Sequence, residues 1–316
     1  MLLLAAVMAA HAPRHNVSAQ SYAHCNASCA SRISVNQVYK NPRPVEYLGQ
    51  SHAALHPQWS DSEWEDRLEL AALGRIMYIY GFGSDLAAQC IMSRVRDEPD
   101  TMLMNEWGFF FEETTASSLV KVRFGEGTPV EGRLVGLDGK ETDAKADVVN
   151  IGCVPVGRAI FEMRPDVNTV IHAHPYSVMA VATSQEGLLP LSQAAFFLHG
   201  QIGRYKYDFS YGSEFEDAIA AQFGEGKRAV MLEHHGLYAV GTSARDAFFV
   251  AFHLNQACEV QLKAQSSGQP LVTPDEAHLA AQYEDMISSP DYAYDGSREW
   301  AGCVRKLNRE LPGYEA

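Results

Sequence analysis

Residues 155–174, PVGRAIFEMRPDVNTVIHAH, carry the change of periodicity that decides the fold. Val156 to Arg164 reads as a helix, and Pro165-Asp166 closes it, because a proline ring disfavours helical backbone at the residue before it. Thr169 to His174 then reads as a strand rich in β-branched residues and ended by Pro175. Further along, Tyr176 to Ser184 is helical up to Gly187, and Ser213 to Phe223 is another helix. Gly224-Glu225-Gly226 leads from it into a strand from Ala229 to His235. Thr242-Ser243 can cap a long amphipathic helix from Arg245 to Gln265. Helices and strands that alternate in this way argue for an α/β sheet rather than a helical bundle.

The stretch before residue 155 adds the remaining elements. Trp64 to Tyr80 places Leu68, Ala71, Ala72, Arg75, Ile76 and Ile79 at helical spacing after a Ser60-Asp61 start, and stops at Gly81. Short β-type runs follow at Cys90 to Val95, Met102 to Met104, Phe109 to Phe111 and Leu119 to Phe124. Gly125 to Lys145 is polar and Gly-rich and reads as a hairpin or exposed loop.

A chain of 316 residues with 47% hydrophobic content can fill a sizeable core. Its formal charge of -14, from 39 acids against 25 bases, excludes a nucleic-acid surface, which needs clustered Lys and Arg. The first ten residues, MLLLAAVMAA, are apolar but lack a positive n-region, so the expected location is cytoplasmic, with a secretory leader as the alternative. On that alternative, the sequons at Asn16 and Asn26 beside Cys25 and Cys29 would accept glycans. Elsewhere no stretch approaches ~20 uninterrupted apolar residues, so no membrane span is expected. Cys90, Cys153, Cys258 and Cys303 show neither zinc-knuckle nor dense disulfide spacing and are expected as reduced, buried thiols.

Two histidine motifs carry the chemistry. In His172-Ala173-His174 the side chains at i and i+2 leave one face of a strand, so both imidazoles can turn toward one ion. Glu233-His234-His235-Gly236 supplies a third imidazole, with Gly236 expected to let the chain turn after it. A three-His site that leaves positions open has the form of a catalytic metal rather than a structural one. Each motif alone also has an incidental reading; both lying after apolar β runs strengthens the joint one. Glu233 shares strand parity with His235 and could face the metal, or else face solvent. Cys153 reads as a small buried hydrophobe.

These residues resemble a known family. The run Arg164 to His174, with Leu232-Glu233-His234-His235-Gly236-Leu237 and Val240-Gly241, is similar to the class II aldolase/adducin family. Glu113 to Val122, Leu188 to Gln193 and Cys258 to Leu262 resemble its adducin-like members. The resemblance covers roughly Trp64 to Ala264, and the tail from Glu299 to Tyr314 also matches those members. It implies a three-layer α/β/α domain with a central, mostly antiparallel sheet, assembled as a homotetramer with sites at subunit interfaces. It also implies a divalent metal on His172, His174 and His235: zinc first, with manganese, iron or cobalt as alternatives. The expected organisation is a leader or disordered extension at 1–40, the family domain at 60–266, and a helical tail at 267–316 packing on the domain or a neighbouring subunit.

The departures narrow the expected reaction. Aldolases of the family place a catalytic Glu nineteen residues before the first metal His, and here that position is Cys153. The serines that help hold a substrate phosphate correspond to Ile151-Gly152 and Trp107-Gly108. Sugar-phosphate cleavage is therefore disfavoured. The expected function is that of a metal-dependent carbon-carbon lyase, a decarboxylase or retro-aldolase. It would act through an enolate on a small, unphosphorylated hydroxy or keto acid, with Tyr207, Asp208 or Glu233 as replacement proton donor. The alternative is an adducin-like scaffold without catalysis.

Overall fold

The computed structural model describes residues 45–49, 56–86, 88–124, 129–131, 134–135, 141–142, 148–150, 152–206, 213–289 and 294–316. The expected leader at 1–40 and the candidate proton donors Tyr207 and Asp208 lie outside the described residues. Helix α1 (Asp61–Ile79) starts where the Ser60 hydroxyl accepts the Glu63 N–H at 3.1 Å, the cap its sequence calls for. It ends before Gly81, which adopts the left-handed φ of +86° that a glycine tolerates without strain.

Four strands follow: β1 (Cys90–Val95), β2 (Glu98–Met104), β3 (Val120–Arg123) and β4 (Pro129–Glu131). A small hairpin pairs β5 (Leu134–Val135) with β6 (Glu141–Thr142), within the segment read as a hairpin or loop. The remaining elements are α2 (Val154–Met163), β7 (Thr169–Ala173), α3 (Tyr176–Ala182), α4 (Gln193–Phe196), β8 (Ile202–Tyr205), α5 (Ser213–Ala221), β9 (Ala229–Leu232), β10 (Gly236–Gly241), α6 (Ala244–Ser266), α7 (Glu276–Ser288) and α8 (Ser297–Glu310). Phe109 to Phe111 does not form the expected strand. Phe109 and Phe110 are 38% exposed, and Phe111 opens a short 3-10 helix whose Glu113 carboxylate accepts the Phe110 N–H at 2.8 Å.

The main sheet has eight strands in the order β4-β3-β2-β1-β7-β10-β9-β8, antiparallel at every step except β8 with β9. Strand alternation divides its two faces. Ile91, Ile171, Ala173 and Leu237 pack with α1, α6 and α8 through Leu68, Val250 and Trp300. Cys90, Met92, Val170 and Tyr238 pack with α2 and α5 through Ile160 and Ile219. The result is the expected α/β/α sandwich with a mostly antiparallel sheet, and β7 lies near its middle, buried along its whole length.

Charge is also buried in this scaffold. The Glu63 carboxylate on α1 takes Arg67 at 2.9 Å and, on its other oxygen, Lys121 of β3 at 2.9 Å, which pins the helix to the sheet. Glu106, just past β2 and 8% exposed, is different: burial pushes its carboxyl up to about 7 from the usual 4.5. The folded state therefore holds this proton more tightly than the unfolded chain does. Its contribution to stability is complete below pH 4.5 and is lost as pH rises through 7. Glu106→Gln should thus leave stability unchanged at pH 4 and raise it by about 1–2 kcal/mol at pH 8, less than the full shift implies because some solvent contact remains. Urea denaturation at the two pH values checks this, and an equal gain at both would show that ionisation is not the cause.

Candidate metal centre

His172 sits at the fourth position of β7, directly opposite Cys90 on β1 and Tyr238 on β10. Its imidazole stacks on the Tyr238 ring, with centroids 4.2 Å apart, and its Nδ1 faces the Leu237 carbonyl oxygen at 3.0 Å. A carbonyl can only accept, so Nδ1 carries the proton and Nε2 presents a lone pair. His174, one residue beyond the strand, makes the same choice through a different partner: its Nδ1 donates to the Asp85 carboxylate. Asp85 is held in turn by the Leu86 N–H at 2.9 Å.

The third histidine arrives by a route that the strand reading of Ala229 to His235 did not describe. β9 ends at Leu232, and Glu233-His234-His235 forms a tight turn closed by the His235 N–H on the Leu232 carbonyl at 3.2 Å. His234 takes the left-handed φ of +61°, a conformation in which histidine is enriched among non-glycine residues. Gly236 follows the turn rather than making it. A Cβ there would lie 2.4 Å from the Ala173 carbonyl oxygen and 2.6 Å from His174 Cδ2, so glycine is what lets β10 approach the His-x-His segment.

The three Nε2 atoms converge. His172 and His174 are 3.0 Å apart, and His235 is 3.3 Å from each. Lone pairs so close repel one another unless a cation lies between them. Tetrahedral zinc with Zn–N bonds of ~2.0–2.1 Å sets its nitrogen ligands about 3.3 Å apart. The donor set therefore fits a divalent ion, and among the described residues it is the group of His, Cys, Asp and Glu side chains that could hold one. Burial, reinforced by the neighbouring imidazoles, drives His172 well below the usual histidine value; burial with the His174 ring brings His235 down to about 4. Both are neutral at pH 7, as metal ligands must be.

A cleft of about 130 Å³ opens over these nitrogens, lined also by Asn150, Cys153 and Phe215. Cys153 is not the reduced thiol expected. It is disulfide-bonded to Cys90 across 63 residues, while Cys258 and Cys303 are free and buried. Glu233 does not line the cleft; its carboxylate pairs with Arg204 at 2.8 Å. Asp85 was absent from the sequence reading, and at 89 residues from His174 no local spacing could have revealed it. Because such carboxylates fix the tautomer and orientation of a ligating imidazole, Asp85→Ala should weaken binding of an added divalent ion by about 10–100-fold while the fold persists. Calorimetric titration of the metal-stripped variant measures this, and an unchanged affinity would remove the orienting role.

Comparison with known proteins identifies the family. The model of the class II aldolase and adducin N-terminal domain matches residues 68–262. The chain belongs to this family. A "putative aldolase class 2 protein" of Caulobacter vibrioides is 32% identical over 264 residues, covering 83% of this chain and 96% of that protein. Gamma-adducin of Mus musculus is 36% identical over 200 residues, which cover 63% of this chain but only 26% of the adducin. The solved L-fuculose 1-phosphate aldolase of Glaciozyma antarctica superposes with a TM-score of 0.67 at 23% identity, covering 89% of this chain and 99% of its own. As a class II aldolase-type chain, the protein carries its three clustered histidines on the central strand, one residue past its end, and on the turn between the two strands that follow that one in the sheet.

Proposed function

We propose that the protein is a metal-dependent carbon-carbon lyase, a decarboxylase or retro-aldolase acting on a small, unphosphorylated hydroxy or keto acid. The observation that carries this reading is the convergence of three histidine Nε2 atoms at 3.0–3.3 Å beneath an open cleft. A divalent ion bound there, zinc in the first instance, would act as a Lewis acid on adjacent substrate oxygens and stabilise an enolate. The chain's own part is to hold and orient: His172, His174 and His235 as ligands, with the Leu237 carbonyl and Asp85 fixing two of the rings. The cleft supports an uncharged or carboxylate substrate over a phosphorylated one, because the described residues lining it include no Lys or Arg to meet a phosphate. The proton donor is assigned to Tyr207 or Asp208 ahead of Glu233, whose carboxylate would first have to leave Arg204. In keeping with the family, the working form is proposed as a homotetramer.

A second reading has its own support: the 36% identity with gamma-adducin allows a binding role without catalysis. Three clustered, metal-competent histidines weigh against it, since a scaffold has no use for them. The test is metal analysis of the purified protein, followed by a screen of hydroxy and keto acids for release of CO2 or an aldehyde. Turnover of such an acid, with no appreciable cleavage of fuculose 1-phosphate or rhamnulose 1-phosphate, is the expected result. Robust cleavage of either sugar phosphate would overturn the substrate class. No helix among the described residues is long and apolar enough to cross a membrane.

A further inference from the structure

The Cys90–Cys153 disulfide is built into the wall of the histidine cleft. Cys90 stands directly opposite His172 in the β1–β7 register, on the same face of the sheet, which sets the two Cβ atoms about 5 Å apart. Cys153 comes from the other side, as the residue capping the N-terminus of α2, and itself lines the cleft with the three histidines. The bond therefore ties a cleft-lining sulfur to the strand beside the first histidine. While it exists, Cys153 Sγ has no lone thiolate to offer. The three nitrogens that converge then form an incomplete tetrahedral set, which is the open form expected of a working metal site.

We propose that this disulfide is a reductively opened lock on the metal centre: once cleaved, Cys153 Sγ turns into the cleft and becomes a fourth, thiolate ligand that closes the coordination. The inference rests on the metal reading given above. In the redox step a dithiol reductant supplies two electrons and two protons. The Cys90–Cys153 S–S bond breaks, each sulfur takes up a proton, and the reductant's two thiols join as a disulfide. On metal binding the Cys153 thiol gives its proton to solvent as the sulfur–metal bond forms in place of bound water. Freed from Cys90, the Cys153 side chain can rotate about Cα–Cβ toward the histidines, with the cleft of about 130 Å³ as the space it enters. Its place at a helix N-terminus favours the thiolate, a help that Cys90, inside a strand, lacks. A three-His, one-Cys set leaves no position for substrate. The disulfide form would be the open, working state, and reduction would silence it.

Cobalt(II) substitution reads this directly, without any assay of activity. Metal-stripped full-length protein is loaded with cobalt in two states: as the disulfide, and after dithiothreitol reduction with anaerobic desalting. Both states should show the visible ligand-field bands of a nitrogen-ligated ion. Only the reduced protein should gain a near-ultraviolet sulfur-to-cobalt charge-transfer band. Two variants separate the sulfurs and share any loss of stability from the missing bond: Cys90→Ser should show the band without reductant, and Cys153→Ser should lack it in either state, with circular dichroism confirming that both fold. Ligand-field bands without a charge-transfer band in the reduced protein, or a band that survives in Cys153→Ser, would overturn the inference and leave the metal reading standing. The absence of ligand-field bands in the oxidised protein would overturn that reading and the inference together.

Discussion

Alanine at His172 together with alanine at His235 abolishes metal retention: that is the expected result of purifying the double variant beside the parent and counting ions per chain. The parent should carry about one divalent ion per chain. The physical case rests on the ligands' protonation states and spacing. Burial keeps His172 and His235 neutral, so at pH 7 both offer lone pairs with no proton to displace. Their Nε2 atoms are 3.3 Å apart and each lies within 3.3 Å of His174, close to the spacing that tetrahedral coordination demands. Removing two of three ligands leaves a single imidazole, whose hold on the ion should fall far beyond the ~10–100-fold lost when only an orienting partner is removed. Replacing His235 opens no large void beneath the sheet, because that side chain borders the open cleft. His172 will open a gap beside Tyr238, however, so circular dichroism and the thermal midpoint should accompany the metal count. Full occupancy in the double variant would end the assignment of these histidines as ligands.

Much of the fold was legible because local signals and tertiary packing agree. Ser60 and Ser243 sit where helices begin and do accept the N–H groups that their side chains can satisfy. Thr169-Val170-Ile171 is β-branched throughout and becomes the central strand. The site was legible only in part. His172 and His174 follow from strand parity, whereas His235 was placed at the end of a strand because Glu233-His234-His235 continues an apolar β run with no glycine or proline to interrupt it. The turn depends on His234 accepting a positive φ, a preference too weak to read from one residue. Asp85 and the Cys90–Cys153 bond were illegible for a different reason. Both depend on which strands lie side by side, and cysteine spacing alone cannot fix connectivity across 63 residues. The aromatic run at Phe109 to Phe111 looked like a strand by composition, yet its first two rings remain well exposed, which composition alone does not reveal.

The sharpest division between lyase and scaffold comes from a ligand that needs the ion. A planar two-oxygen mimic of an enolate, such as oxalate or a hydroxamate, chelates a Lewis-acidic metal through adjacent oxygens, and mimics of a transition state or intermediate bind far more tightly than ground-state ligands. Among the described residues that line the cleft no Lys or Arg offers a competing positive charge, and the histidines that burial keeps neutral contribute none at pH 7. The anion's affinity must then come from the metal. Oxalate should bind the metal-loaded protein at least ~100-fold more tightly than the stripped protein, a difference of about 2.7 kcal/mol in binding free energy. Calorimetric titration of both forms with the same ligand measures this, alongside circular dichroism to show that the stripped form stays folded. Binding of equal strength in both forms would mean that the ligand meets protein groups rather than an open metal, and no binding in either would mean that the ion, if held, has no free coordination position. Either result would favour the adducin-like role, because a lyase that works through an enolate has to expose its metal to two oxygens at once.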